Sequence, residues 1–217
     1  MIKCHPLSHF DENDWEEVEQ AFQERKPLTF GQHWLTEQQA DFSPAQVYIG
    51  WRDDDFYALA TLHDADIFTE ATADGQEMWA LGDVFEIFLR ALPGDSWYEF
   101  HVTPNDDHLE LRWPNNPEIS RLEVKEKGLG AFIMKGRSFS SHTRTCCDSQ
   151  HWQVLVKIPA ALIADKKSIS DGDAWLVSFC RYDYWRDERS PVLSSTAPLT
   201  VADFWRQQEW QQMTFMK

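Results

Sequence analysis

Apolar side chains recur at every second position in two neighbouring segments, residues 85–89 and 98–102, and this pattern constrains the fold more than any other feature. Because successive side chains of a β-strand point to opposite faces, the pattern predicts a β-hairpin with one apolar face. That face carries Phe85, Ile87, Leu89, Tyr98, Phe100 and Val102. Glu86, Glu99 and His101 then share the opposite face, since a shift of one residue would invert both sets. Two carboxylates and an imidazole on one face suit either a polar ligand site or a solvated surface.

Other segments of strand character recur along the chain. Together with the hairpin strands they comprise residues 46–51, 56–63, 84–90, 97–103, 109–113, 131–134, 152–158 and 175–182. Several short strands separated by turn signals favour an all-β antiparallel sandwich, immunoglobulin-like or jelly-roll-like, over a fold of alternating strands and helices. Residues 11–26 instead predict one short acidic helix that ends at Pro27. We therefore expect one sandwich over residues 45–217, with residues 1–44 as an N-terminal helical extension packed on it.

The charge of the chain excludes several classes of partner. The formal net charge is −16, whereas binding to nucleic acid or to an anionic membrane requires clustered Lys and Arg. No apolar run approaches the ~18 residues of a membrane-spanning helix, and the N-terminal residues do not resemble a secretory signal. Cys4, Cys146, Cys147 and Cys180 lack the spacing of a zinc site or of a disulfide framework. We expect a cytoplasmic protein with reduced thiols and with no nucleic-acid or membrane partner, while the oligomeric state is left open.

Two tryptophans are candidates for a ligand platform. Trp79 stands where a polar loop meets the predicted hairpin, and Trp205 lies in a polar segment near the C-terminus. An indole ring offers a flat apolar surface that suits the C–H face of a sugar. Each ring could equally cover an end of the sandwich or belong to the core, so the residues alone leave both interpretations open.

Glu86 lies inside an apolar strand, where an unpaired carboxylate would be costly. It therefore requires a cationic partner, solvent or a ligand. Arg112 is one candidate partner, provided that the apolar residues of segment 109–113 face the core, and Arg181 is a second. A structural Glu–Arg pair and a cluster that binds hydroxyl groups are both consistent with the pattern.

Asp64 and Asp66 alternate onto one side of the chain in a polar loop that follows a predicted strand. Two such carboxylates could hold Ca²⁺ together with backbone carbonyl groups. They could also be solvated loop acids, which are common in a chain of this charge.

Several segments, taken in order, resemble the family-9 carbohydrate-binding modules and their wider DOMON-like β-sandwich relatives. The matching segments are residues 47–51, 56–60, 63–67, 79, 82–88, 98–102, 104–105, 175–181, 204–210 and 213–215. The resemblance covers most of residues 45–217, and the hairpin motif is its most specific part. It implies a β-sandwich that clamps the end of a saccharide between two tryptophan rings without catalysis and that, in several members, binds structural calcium.

By this resemblance, Trp79 corresponds to the first ring, and Trp205 lies within one residue of the second. Glu86 corresponds to a carboxylate that hydrogen-bonds sugar hydroxyl groups. His101 occupies a position where a cellulose- or xylan-binding relative carries a basic residue. The expected ligand-binding residues are Trp79, Glu86, Glu99, His101, Arg112 and Trp205, and the expected ligands of a calcium ion are Asp64 and Asp66.

Other functions compete with saccharide binding. A glycan-processing enzyme could use Glu86, Glu99 and His101, although no known catalytic motif accompanies them. A haem carrier could use His101 with Met78 or Met134, and a domain that only mediates protein contacts is a third alternative. We expect a non-catalytic domain whose partner is a mono- or oligosaccharide and whose only candidate cofactor is calcium.

Overall fold

The computed structural model describes residues 1–146, 148, 150–164, 168–187 and 190–217. Its strands and helices are, in chain order, β1 (Ile2–Cys4), α1 (Trp15–Phe22), β2 (Leu28–Thr29), β3 (Ala45–Arg52), β4 (Asp55–His63), β5 (Val84–Leu92), β6 (Trp97–Val102), β7 (His108–Trp113), α2 (Pro117–Lys127), β8 (Ser140–Cys146), β9 (His151–Pro159), α3 (Ala160–Ile163), β10 (Ala174–Asp183), β11 (Val192–Ser195) and β12 (Gln211–Phe215). The strands form two sheets that pack face to face around a shared apolar core. The predicted all-β sandwich is therefore confirmed.

The first sheet has the strand order β1–β12–β10–β5–β6–β7, with β11 also paired to β10. The second sheet has the order β2–β3–β4–β9–β8. Among the described strands, the pairing of β1 with β12 is parallel and the other pairings are antiparallel. β5 and β6 lie towards one side of the first sheet, flanked by β10 and β7.

The predicted hairpin is formed by β5 and β6. The facing pairs are Phe85 with Val102, Ile87 with Phe100, and Leu89 with Tyr98. All six side chains are buried in the core between the sheets, which confirms the argument from alternation. Glu86, Glu99 and His101 lie on the opposite face, but a second apolar cluster covers that face. The three polar side chains are therefore buried and not solvated.

Residues 1–44 supply strands to both sheets in addition to a helix. β1 lies at the edge of the first sheet, and β2 lies at the edge of the second. α1 is shorter than the predicted segment 11–26 and begins after Asp14, whose carboxylate accepts two backbone N–H groups of the first turn. Val18 and Phe22 pack on the outer face of the second sheet. The helix is thus fixed to the sandwich through one apolar side.

The chain between β7 and β8 differs from the prediction. Residues 131–134 do not form a strand and make a single bridge, between Ile133 and Leu111. α2 was not predicted; it begins after Asn116, whose side chain accepts a backbone N–H of the first turn, and Ser120 is its only buried residue. No helix in the described part of the chain combines the length and the apolar character that crossing a membrane requires.

Cys4, Cys146 and Cys180 are free thiols, as predicted, whereas Cys147 lies outside the described residues. Burial raises the pKa of the Cys4 and Cys180 thiols well above the usual range. Because the thiolate is the reactive form, both groups are poor nucleophiles.

Candidate functional site

A cleft of about 300 Å³ lies on the outer face of the first sheet. β5 and β6 form its floor, and the turn at residues 78–80, α2, and the loop at residues 202–205 border it. The cleft is lined by Trp79, Glu86, Glu99, His101 and Trp205. Five of the six predicted ligand residues, which come from separate parts of the sequence, are therefore brought together in one place.

His101 lies between two carboxylates on the floor of the cleft. Its Nδ1 is 3.0 Å from Oε1 of Glu86, and its Nε2 is 3.1 Å from Oε2 of Glu99. Sheet register produces this arrangement, because Glu86 faces His101 across the hairpin and Glu99 is two positions away on the same strand. We call these three residues the glutamate–histidine cluster. With a carboxylate at each ring nitrogen, the imidazole is best satisfied when both nitrogens carry a proton.

The neighbouring charges keep His101 cationic at neutral pH. Burial alone would lower the pKa of His101, but Glu86 and Glu99 outweigh burial and raise the pKa to about 9. Burial raises the pKa of Glu99, although the contact with His101 opposes this effect. When both glutamates are ionised and His101 is protonated, the cluster has a net charge of −1.

One acceptor atom of this cluster has no hydrogen-bond partner among the described residues. Oε1 of Glu99 is buried and unpaired, and the side chain lines the cleft. The Trp113 indole N–H also lowers the pKa of Glu99, but neither Nε1 of Trp113 nor Oε1 of Glu99 has a hydrogen-bond partner of normal geometry among the described residues. A buried acceptor without a donor costs free energy, so a hydroxyl group that reaches it is stabilised.

Trp79 stands at one side of the cleft with its ring partly exposed. The centroid of this ring is 5.5 Å from that of His101. Two contacts fix the turn that carries it: Met78 is fully buried, and the Tyr184 hydroxyl donates to the Trp79 carbonyl oxygen at 2.7 Å. The ring is therefore positioned beside the charged floor and still reaches the open part of the cleft.

The connection from this turn into β5 requires glycine. Gly82 has φ 135°, and a Cβ at this position would lie 2.7 Å from the carbonyl oxygen of Phe68. The next residue, Asp83, accepts the backbone N–H groups of Phe68 and Tyr184 at 2.7 Å and 2.8 Å. These contacts hold two long loops against the start of β5 and so determine the place of Trp79.

Trp205 belongs to a group of three indole rings. Its centroid is 5.0 Å from that of Trp97 and 4.6 Å from that of Trp113, both in edge-to-face geometry. The guanidinium carbon of Arg121 lies over the Trp205 ring, 4.8 Å from its centroid. Arg121 in turn donates to Asp203. Trp205 is partly exposed in the cleft, and one of its faces is occupied by this guanidinium.

Arg112 does not line the cleft, so its predicted place in the ligand site is wrong. It faces Tyr98 in the register of β6 and β7, and Tyr98 belongs to the core between the sheets. The prediction assumed that the apolar residues of β7 mark that core, whereas Leu111 and Trp113 pack on the cleft side of the sheet. The observed partner of Glu86 is His101, not an arginine.

Asp64 and Asp66 do not form the predicted pair of metal ligands. Asp66 pairs with Arg186 at 3.3 Å. Asp64 instead lies with Asp83 and Asp183, and their carboxylate oxygens come within 4.8 Å of one another.

The guanidinium of Arg181 joins this second group of carboxylates. Its Nη2 is 3.2 Å from Oδ2 of Asp64 and 2.9 Å from Oδ1 of Asp183. We call Arg181 and the three aspartates the aspartate–arginine cluster. Burial and the charge of Asp64 raise the pKa of Asp83 to about 8, and burial raises that of Asp183 to about 7. Because a guanidinium already supplies the positive charge between the carboxylates, this donor set does not fit a calcium ion.

The same geometry bears on the rival functions. Glu86 and Glu99 are both engaged with one imidazolium, which leaves neither as an independent acid or nucleophile. Met134 packs against the core between the sheets, on the opposite side of the first sheet from His101. Of the possible haem ligands named from the sequence, Met134 and His101 therefore lie on opposite sides of the first sheet, whereas Met78 lies on the side of His101.

Sequence reasoning missed Arg121 and Asp203, which border the cleft. Arg121 lies on α2, where Asn116 followed by Pro117 and a closing Gly128 were available signals of a helix. The segment lacks a continuous apolar stripe, which is the pattern that identifies most surface helices.

No protein-family model matches the sequence, and no curated protein has a matching sequence. Solved structures do match it. One is a protein from Bacteroides uniformis with a provisional carbohydrate-binding assignment, with a TM-score of 0.66 at 15% identity over 99% of this chain and 98% of that chain.

A family-9 carbohydrate-binding module from Caldicellulosiruptor kristjanssonii also matches, in two complexes. The complex with cellotriose gives a TM-score of 0.65 at 12% identity, over 99% of this chain and 93% of that chain. The complex with glucose gives 0.65 at 13% identity, over 99% and 94%. At such low identity the likeness establishes a common β-sandwich fold over essentially the whole chain.

Proposed function

We propose that the cleft binds a neutral mono- or oligosaccharide and that the domain is non-catalytic. The observation that carries this proposal is a partly exposed Trp79 ring beside a buried carboxylate oxygen of Glu99 that has no donor. A sugar presents an apolar C–H face and a rim of hydroxyl groups, so it complements both features at once. The fold shared with sugar-bound modules agrees with this proposal, although a fold by itself does not define a ligand.

The residues of the cleft divide the work of binding in this proposal. Stacking on Trp79 supplies affinity, on the order of 1–3 kcal/mol for an apolar ring face removed from water. The carboxylates of Glu86 and Glu99 accept hydrogen bonds from sugar hydroxyl groups and so select among sugar epimers. His101 hydrogen-bonds Glu99 through Nε2 and makes an ionic contact with Glu86 through Nδ1, so we assign it a positioning role in place of direct donation to the sugar.

Calorimetry against a panel of neutral sugars that includes glucose and cellotriose tests the proposal. We expect weak, enthalpically favourable binding that changes little with salt, because a neutral ligand forms no ion pair to be screened. Trp79→Ala should abolish the heat of binding. Trp15→Ala is the matched control, since Trp15 is a partly exposed ring beneath Arg144 on the other side of the sandwich.

Two results would contradict the proposal. One is the absence of heat for the wild-type protein against the whole panel, and the other is equal binding by wild type and Trp79→Ala. Release of a chromophore from aryl glycosides by the wild-type protein would contradict its non-catalytic part.

A further inference from the structure

One side chain of α2 covers a ring that lines the cleft. The guanidinium carbon of Arg121 lies 4.8 Å from the centroid of the Trp205 ring. Its Nη2 donates to both carboxylate oxygens of Asp203, at 2.6 Å and 2.8 Å. Trp97 and Trp113 contact Trp205 from the sheet, so the guanidinium occupies surface that would otherwise be open to the cleft.

The attachment of α2 to the rest of the molecule is slight. Ser120 is its only buried residue, and its side chains Ile119 and Leu122 are 44% and 62% exposed. A helix of this length gains most of its stability from packing, so α2 depends on the few contacts that it makes. The pair of Arg121 with Asp203 is one of them, and its side chains are 47% and 38% exposed. Water screens such a pair, which makes it easy to separate.

We propose that Arg121 shields Trp205 in the free protein and is displaced from it when a sugar enters, so that α2 controls access to the second ring of the cleft. This inference rests on the proposed saccharide binding. The guanidinium and the C–H face of a sugar both stack on an indole, and they compete for the same face of Trp205. Removing the Arg121 side chain should therefore raise the affinity for a sugar, because it removes a competitor. Removing a side chain that contacts the sugar would instead lower the affinity.

The first test needs no sugar. Hydroxyl-radical footprinting with mass spectrometry resolves the oxidation of Trp205 from that of the other tryptophans. We expect Arg121→Ala to oxidise faster at Trp205 than the wild-type protein, and Arg121→Lys to fall between them, because lysine keeps the charge but lacks the planar face. Lys125→Ala is the matched control on the same helix and should oxidise like the wild type. Equal oxidation of Trp205 in Arg121→Ala and wild type overturns the shielding.

The second test measures affinity for cellotriose and glucose by calorimetry. We expect Arg121→Ala to bind about threefold to tenfold more tightly than wild type, as estimated from one exposed ion pair and one cation–π contact. Lys125→Ala should bind like wild type. Unchanged or weaker binding by Arg121→Ala overturns the displacement, since it would mean that Arg121 contacts the sugar or lies outside its path.

The two tests separate the inference from the proposal beneath it. If neither the wild-type protein nor any variant binds a neutral sugar, the proposed function is wrong. The proposed displacement of Arg121 by a sugar is then wrong as well. The footprint still decides whether Arg121 shields Trp205. If wild type binds and Trp79→Ala does not, the function holds and the affinity of Arg121→Ala decides displacement.

Discussion

The glutamate–histidine cluster and the aspartate–arginine cluster are both buried, but the surplus negative charge of each is compensated differently. Each contains more carboxylates than cations: two glutamates share the imidazolium of His101, and three aspartates share the guanidinium of Arg181. In the aspartate–arginine cluster, backbone N–H groups also pair with Asp83, and raised pKa values allow protons to remove the surplus charge. In the glutamate–histidine cluster, an oxygen of Glu99 stays unpaired beside the cleft.

This difference separates a structural role from a binding role. The unpaired atoms of the aspartate–arginine cluster are donors, Nε and Nη1 of Arg181, and this residue does not line the cleft. The unpaired atom of Glu99 is an acceptor beside the cleft, so it gains a hydrogen bond when a donor enters. The position of each cluster fits the same distinction. Arg181 faces Phe85 of the inter-sheet core, and Glu86 points to the cleft.

Arg181→Met should have the largest effect on stability. It leaves three buried carboxylates without their cation, and we expect the free energy of unfolding to fall by about 3–5 kcal/mol in urea denaturation. Arg186→Met is the control, because Arg186 pairs with Asp66 at the surface and should cost less than about 1 kcal/mol. Similar losses in the two variants would show that the aspartate–arginine cluster does not stabilise the fold.

His101→Gln should have an intermediate effect on stability and a large one on binding. A glutamine amide can donate to only one side at a time, so one of the two carboxylates loses its partner, at a cost of about 2–3 kcal/mol near pH 7. This loss should shrink at pH 5, where a destabilised buried carboxylate takes up a proton. Sugar binding should be lost at pH 7. Wild-type affinity in His101→Gln would refute a positioning role for His101.

The pH dependence of the stability of the wild-type protein should have a defined sign. The folded-state pKa values of Asp83 and Asp183, about 8 and about 7, lie above the ordinary value of 3.8. Between these limits the folded protein retains protons that the unfolded chain releases, so the free energy of unfolding falls as pH rises. We therefore expect stability to decrease continuously between pH 5 and pH 8, measured as the free energy of unfolding in urea at each pH.

A variant tests the contribution of Asp183 in this measurement. Asp183→Asn imitates the protonated acid and should reduce the slope of the profile up to about pH 7, leaving the part that Asp83 contributes. Asp66→Asn, at a surface pair with Arg186, is the control. His101 acts in the same direction over a higher window: its contribution is complete below pH 6.5 and is lost as pH rises through about 9. Stability that rises between pH 5 and pH 8 would contradict both assignments.

The sequence predicts the hairpin and much of the cleft because a strand imposes a period of two. That period alone places Glu86, Glu99 and His101 on one face, opposite the six residues of the core. It does not reveal that the polar face is itself covered, which depends on segments far away in the chain. The error at Arg112 has the same cause. Alternation in β7 defines two faces of the strand but does not identify the face that packs on the second sheet.

The remaining errors have a different cause. The spacing of Asp64 and Asp66 gives no information on the arginines that pair with them, which lie more than a hundred residues later. α2 carries end signals at Asn116 and Gly128 but no apolar stripe, so its presence and the contact of Arg121 with Trp205 follow from the folded chain. Contacts between distant segments are what the sequence pattern leaves undetermined.

The group of three indoles gives the cleft an optical property of its own. Trp97 and Trp113 stack with centroids 5.3 Å apart, and Trp205 crosses both at a steep angle. Transition dipoles held so close and at fixed angles couple, and coupled indoles produce a paired band in the circular dichroism spectrum. Any molecule that shifts the Trp205 ring changes those angles. The circular dichroism spectrum of the unlabelled protein therefore reports movement of Trp205 when a molecule enters the cleft.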